Sequence, residues 1–220
     1  MALALPIKIA FELYTHYRIR AQSKYGGSEM RVSRVQAEEN RQAVINVASR
    51  LFREHGFDGI GLKDLMAGAG MTQGGFYKQF ESKEDLTVQA SRRALKSAVE
   101  RWSAAATSNP EDPLSAVMRF YLSMGHCAER ADGCPVVALG SDAARQGRHV
   151  KAAFEDGIKE HLEMIAAWIG EADGEPGGKA MGMLSTMVGA VLLARAVNDP
   201  KLSDQFLKAA ADSMLTQCRA

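Results

Sequence analysis

The stretch Leu62-Lys-Asp-Leu-Met-Ala-Gly-Ala-Gly-Met-Thr-Gln-Gly-Gly-Phe-Tyr-Lys-Gln-Phe80 constrains this chain more than any other. It reads as a brief helix from Leu62 to Gly68, a tight turn that Gly70 permits, and a second helix from Thr72 to Phe80. Leu65 and Met66 are expected to pack inward and Thr72 to cap the second helix. Phe76 and Phe80, four apart, point to a core, which turns Gln73, Gly74, Gly75, Tyr77 and Lys78 toward the opposite side. This is the pattern of a helix-turn-helix, whose second helix can enter the major groove of DNA. Two glycines in its first turn weaken a helix by about 1 kcal/mol each relative to alanine. That cost points to close approach of the backbone to a ligand. The plainer alternative is three short helices of an ordinary helical domain, with Tyr77 half-buried and Lys78 solvated. A dinucleotide-binding glycine loop is excluded, because the spacing of Gly68, Gly70 and Gly74 is wrong and no strand precedes them.

The flanking sequence is helical in pattern throughout. Val44, Val47, Ala48, Leu51 and Phe52 mark one face of a helix over Glu38 to Glu54, with His55 and Gly56 at its stop. Ser82 is placed to accept the amide of the third residue of a long helix that runs to about Ala105. Beyond Pro110 and Pro113, Leu114, Val117, Phe120, Tyr121 and Met124 share a helix face, and Gly133 and Pro135 punctuate the next junction. Val150 to Ile169 reads as a helix, Gly170 to Gly178 as a loop, and Lys179 to Ala196 as a helix apolar almost all round. Asn198-Asp199-Pro200 ends it, and Ser203 opens a last helix. No run reads as strand, so the expected class is all-α. Residues 1–29, closed by Gly26-Gly27-Ser28, read as a flexible arm or as an extension upstream of a start at Met30. A reading head follows over 30–82 and a helical body over 83–220.

Ala48-Ser-Arg-Leu-Phe-Arg-Glu-His-Gly-Phe57, Gly70-Met-Thr-Gln-Gly-Gly-Phe-Tyr77 and Phe80-Glu-Ser-Lys-Glu-Asp-Leu86 together resemble the TetR/AcrR family of bacterial transcriptional regulators, over about residues 36–90. The resemblance implies that Gln73, Gly74 and Gly75 face base edges. It implies phosphate contacts from Thr72, Tyr77, Lys78 and Lys83, and from Asn40 and Arg41 on the first helix. It also implies a dimeric repressor released from a palindromic operator by a small molecule. One departure stands out: where family members usually carry Thr or Ser, this chain has Gly61, and a hydroxyl contact to phosphate is missing there.

Composition sets bounds on function. Lys and Arg number 27 against 26 Asp and Glu, a net charge of +1, so any basic patch must be local. Arg31, Arg34 and Arg41 form a basic arm near DNA or a solvated face. Three cysteines, with no CxxC and no metal-ligand spacing, fit a reducing compartment and a cytoplasmic protein without metal or cofactor. The opening residues make a poor signal peptide, and no apolar run reaches the roughly 18 residues of a membrane span. No Ser/His/Asp set or phosphate loop supports an enzyme, and His126, His149 and His161 are scattered.

In the body, Phe120, Tyr121, Met124, Phe154, Met164, Trp168 and Met187 are the expected lining of a pocket for an apolar or aromatic effector, since flexible thioethers suit an adaptable site. The same residues equally suit a plain core. Leu184, Val188 and Leu192, with Phe206 and Leu207 of the last helix, are the expected dimer interface, because a helix apolar on two sides can pack inward on one and on a partner with the other. The alternative is a buried central helix of a monomer. Cys134, between Gly133 and Pro135, is either an oxidant- or electrophile-sensing thiol or an inert buried one.

Overall fold

The computed structural model describes residues 34–171 and 177–219, so the arm expected over residues 1–29 lies outside the described residues. The described residues before Glu38 form a separate unit, and the contacts below concern the described residues from Glu38 on. The described residues are helical, with no strand among them.

Helix α1 spans Arg34–His55 and buries Val44, Ile45, Ala48 and Phe52 along one stripe. Helix α2 is Leu62–Gly68, with Leu65 and Met66 fully buried. Gly70, at φ +70°, turns the chain in the left-handed region that a side chain disfavours, and the Met71 amide then donates to the carbonyl of Met66 at 2.8 Å. The expected second helix is present as a tighter 3₁₀ helix, Gln73–Lys78. Thr72 stands at its cap position, but its side chain makes no capping hydrogen bond, which corrects the expected cap. The turn is closed instead by the backbone, with the Gly75 amide on the Thr72 carbonyl at 3.0 Å.

Helix α3, Lys83–Thr107, starts where Ser82 places it, the hydroxyl accepting the Asp85 amide at 3.1 Å. Helix α4, Pro113–Tyr121, is capped by Asp112 and is shorter than its apolar spacing predicts. Ser123 ends it: its hydroxyl donates to the Phe120 carbonyl at 2.8 Å and accepts the His126 amide at 3.1 Å, opening the short helix α5, Met124–Ala128. Met124 therefore leaves the face of Phe120 and Tyr121 and is exposed.

Helix α6, Pro135–Arg145, follows the Gly133 and Pro135 junction and was not marked by periodicity. Helices α7 (Arg148–Ile169), α8 (Gly178–Ala196) and α9 complete the body. Helix α9, Pro200–Arg219, begins three residues before Ser203, because Pro200 fits the first turn and Asp199 accepts the Lys201 amide at 2.9 Å. Ser203 is buried and ties α9 to α8 through the Ala194 carbonyl at 2.9 Å.

Two apolar clusters fill the molecule. One joins α1, α2 and the 3₁₀ helix to α3, α6 and α7, so that Phe57 sits edge-on to both Phe52 and Phe154. The other lies between α3, α4, α7, α8 and α9, around Trp102, Tyr121, Ile165, Met183 and Met187. Residue 82, the expected boundary of the head, is the cap of α3, and the first cluster runs across it.

Candidate functional site

The turn from Thr72 to Lys78 divides into two sides as its spacing predicts. Phe76 and Phe80 are buried, their rings stacked at 5.4 Å. Thr72, Gln73, Gly74 and Lys78 are exposed, and Tyr77 is 72% exposed while its ring meets the edge of Phe76 at 5.1 Å. Gly75 is half-buried. A Cβ on Gly74 would meet nothing within 4 Å, and one on Gly75 would meet only the end of Met66 at 3.8 Å. Neither glycine has positive φ. The fold therefore demands glycine at neither position, and the bare backbone faces open space.

The other residues expected at phosphates divide between holding the head together and facing outward. Arg41 is half-buried, donates Nε to the Gln79 carbonyl at 3.2 Å and lies over the Phe80 ring at 5.1 Å, so it braces the reading turn against α1. Lys83 donates its ammonium to the carbonyls of Phe57 at 2.6 Å and Ile60 at 3.0 Å, which closes the loop between α1 and α2. That structural work engages two of its three N–H groups. Asn40 is half-buried near the start of α1. Gly61 caps α2 with no side-chain hydrogen bond, in keeping with the missing hydroxyl.

The seven residues expected at an effector pocket do not converge on one cavity. A cleft of about 930 Å³ between α6 and α7 takes only Phe154 from that set. Phe120 and Tyr121 line a second, much smaller cavity with Trp102. Trp168 and Met164 pack half-buried on the body core, and Met187 is wholly inside it.

On the outer side of α8, Leu184 and Val188 are half-buried and Leu192 is 52% exposed, with Met181 and Leu193 beside them. Phe206 is half-buried on α9. Leu207 is 1% exposed, because the inner stripe Ser203, Leu207, Ala210 and Met214 faces its own core; it is removed from the expected interface. Among the described residues α8 alone is long and apolar enough to cross a membrane, at a mean hydropathy of 1.2. Its inner face, from Ala180 and Met183 to Val191 and Ala194, is spent on the core. Cys134 is free but only 7% exposed within the same core, closed off from solvent. No metal-ligating group of side chains occurs among the described residues.

Sequence reasoning missed the two arginines that hold the segment from His126 to Gly133, one from α1 and one from α8. Arg53 is buried, its Nε on the Ser49 carbonyl and its Nη1 on the Gly133 carbonyl, both at 2.9 Å. Arg195 of α8 reaches the carbonyls of Cys127, His126 and Glu129 at 2.8–3.1 Å. The signal for Arg53 was its place beside Phe52, at the edge of the apolar stripe of α1.

Comparison with known proteins agrees with this geometry. The profile of bacterial regulatory proteins, tetR family, matches residues 44–90. The HTH-type transcriptional regulator LmrA of Bacillus subtilis (strain 168) is 25% identical over 126 residues, 56% of this chain and 66% of LmrA. The HTH-type transcriptional regulator AcrR of Shigella flexneri is 38% identical over 56 residues, 26% of each chain. The matched stretches thus span less than two thirds of either relative. The crystal structure of a TetR transcriptional regulator from Chloroflexus aurantiacus J-10-FL superposes at a TM-score of 0.70 with 25% identity, covering 82% of this chain and 94% of that one. With its helix-turn-helix at Leu62–Phe80 and an all-helical body, the chain carries over residues 44–90 the region shared by bacterial regulatory proteins of the tetR family, on the fold of a TetR transcriptional regulator.

Proposed function

We propose that the chain is a sequence-specific DNA-binding transcriptional regulator, acting as a homodimeric repressor on a palindromic operator and released by a small apolar or aromatic effector. The observation that carries this reading is the exposed row Thr72, Gln73, Gly74, Tyr77 and Lys78 on a turn braced from behind by Phe76 and Phe80. In it Gln73 reads base edges while the bare backbone of Gly74 and Gly75 lets the turn sit deep in the major groove. Thr72, Tyr77, Lys78 and Asn40 hold phosphates, and Lys83 contributes its remaining N–H. Residues 30–82 act as the reading head and 83–220 as the body. The uncovered apolar side of α8, with Phe206 of α9, supports pairing of two chains, so that two heads address successive major grooves about 34 Å apart. Acting on the chromosome, such a protein works in the cytoplasm.

Selection of bound duplexes from a random pool tests the reading. A palindromic consensus is expected, bound with strong salt dependence and lost in Tyr77→Ala or Lys78→Ala proteins that keep their helical content. Sedimentation should give a dimer that Leu192→Glu dissociates. A pool that yields no enriched sequence, or a monomer on the duplex, defeats it.

A further inference from the structure

Behind the loop that joins α5 to α6 lies a cavity of about 10 Å³, walled by Trp102, Phe120, Tyr121, His126, Cys134 and His161. That is room for about one water molecule. Tyr121 is 1% exposed and its hydroxyl has no nitrogen or oxygen partner, only the weakly bonding thiol of Cys134 beside it, an arrangement that costs free energy unless something else supplies a stronger partner. The two imidazoles are fixed in tautomer. His126 Nδ1 lies 2.7 Å from the Tyr121 carbonyl, and His161 Nδ1 lies 2.7 Å from the Gly157 carbonyl. A carbonyl only accepts, so Nδ1 carries the hydrogen in both rings and Nε2 is left as a bare acceptor. Burial keeps both rings neutral, pulling His126 down to about 4 and lowering His161 as well.

Ala98, Gly133 and the charged Arg101 and Asp132 complete the wall beside the aromatic rings. Trp102 meets Tyr121 edge-on at 5.6 Å and His161 at 4.6 Å. The charged neighbours satisfy one another: Arg101 pairs with Glu129 at 2.5 Å, and Asp132 pairs with Arg50 at 3.1 Å. The wall thus offers ring faces, acceptors and one hydroxyl with only a thiol beside it, and its two charged members are already paired.

We propose that this cavity is the effector site, that it takes a small neutral ring carrying a hydrogen-bond donor, of the phenol class, and that such a molecule enters by displacing the loop from Glu129 to Cys134. The proposal rests on the regulator reading above and names its effector. A ring is far larger than the cavity, since a benzene-sized guest needs on the order of 150 Å³, so binding and loop movement are one event. The loop has no slack. A Cβ on Gly133 would lie 2.1 Å from the Glu129 carbonyl oxygen and 2.6 Å from Arg195 Nη2. Its carbonyls are held from three helices: Gly133 by Arg53 of α1, Asp132 by Arg101 of α3, and Glu129 by Arg195 of α8. Displacing it breaks the bond to α1, the helix whose Arg41 braces the reading turn. A ligand that binds the displaced loop and a duplex that needs the held one therefore oppose each other.

The test titrates the full chain by calorimetry with phenol, and with anisole as a ring of the same kind that has no donor. Phenol is expected to bind saturably and about tenfold more tightly than anisole, and Tyr121→Phe to weaken it about tenfold. Phenol should also release the pool-selected duplex. Arg53→Met, which frees the loop, should bind phenol more tightly than the parent; if that variant does not fold, the shape-preserving Tyr121→Phe decides alone. Equal binding of phenol and anisole, no saturable heat, or no effect of Tyr121→Phe overturns the proposed site. A duplex that binds but is indifferent to phenol overturns the coupling while leaving the regulator reading intact. A chain that selects no duplex defeats the regulator reading, and the calorimetry then still decides whether the cavity takes phenol.

Discussion

Arg53 and Gly133, eighty positions apart in sequence, are joined by a hydrogen bond of 2.9 Å from guanidinium to carbonyl. Arg53 is 7% exposed, and burial pulls its pKa down to about 10, with Asp132 opposing the fall. It stays charged at neutral pH, inside the protein, because its hydrogen bonds are met. Arg53→Ala strands the Gly133 carbonyl, and the expected loss is about 3 kcal/mol of unfolding free energy. Arg50→Ala, which removes an exposed pair with the same Asp132, should cost under about 1 kcal/mol. Urea titration of both variants measures the difference, and equal losses would contradict the assignment.

Tyr121→Phe removes a buried hydroxyl that has only the weakly bonding Cys134 thiol beside it and keeps the ring against Trp102 and His126. It should stabilise the free protein by about 1 kcal/mol. A destabilised variant in thermal and denaturant unfolding would mean that the hydroxyl is satisfied.

Gly74→Ala places a methyl group in open space on a backbone that any residue can adopt. A gain of about 0.4–1 kcal/mol in stability is expected. Binding to the selected duplex should fall by tenfold or more over the same change, because the methyl group intrudes where the backbone approaches DNA. Stability and affinity moving in opposite directions is the informative outcome; unchanged affinity would place the bare turn away from the duplex.

His126 links stability to acid. Its pKa is about 4 when folded, mainly through burial, against an ordinary 6.5. Above pH 6.5 the ring is neutral in both states and contributes nothing to the pH dependence. As pH falls from 6.5 to about 4 the unfolded chain takes up a proton that the folded one refuses, so stability drops, by about 3 kcal/mol at most. His161 is shifted in the same direction and adds to the slope. Denaturant midpoints for the parent and for His126→Gln across this range should show a shallower fall in the variant.

Much of the head was legible because short-range rules govern it. Phe76 and Phe80 follow from a four-residue spacing, the start of α3 from Ser82, and the turn from Gly70. The failures are long-range or a matter of competition. Thr72 is not a side-chain cap because the backbone alone closes the 3₁₀ turn. Met124 left its helix face because Ser123 hydrogen-bonds both backward and forward and restarts the helix. Lys83 was expected at a phosphate, yet its ammonium serves two carbonyls more than twenty residues upstream. No local pattern announces such a partner, and the same holds for Arg53 and Arg195.

Gly74 and Gly75 leave the reading turn with a short alphabet. On the proposed complex Gln73 is the one long polar side chain at the entry of the turn, able to make the paired contact that singles out adenine. Two bare backbones beside it can measure distance but cannot spell. Discrimination among duplexes then falls largely on how readily each one narrows or bends to admit the turn. Operators for this protein should share flexibility as well as the few letters that Gln73 reads, and a base that no side chain touches should still change affinity when it is replaced.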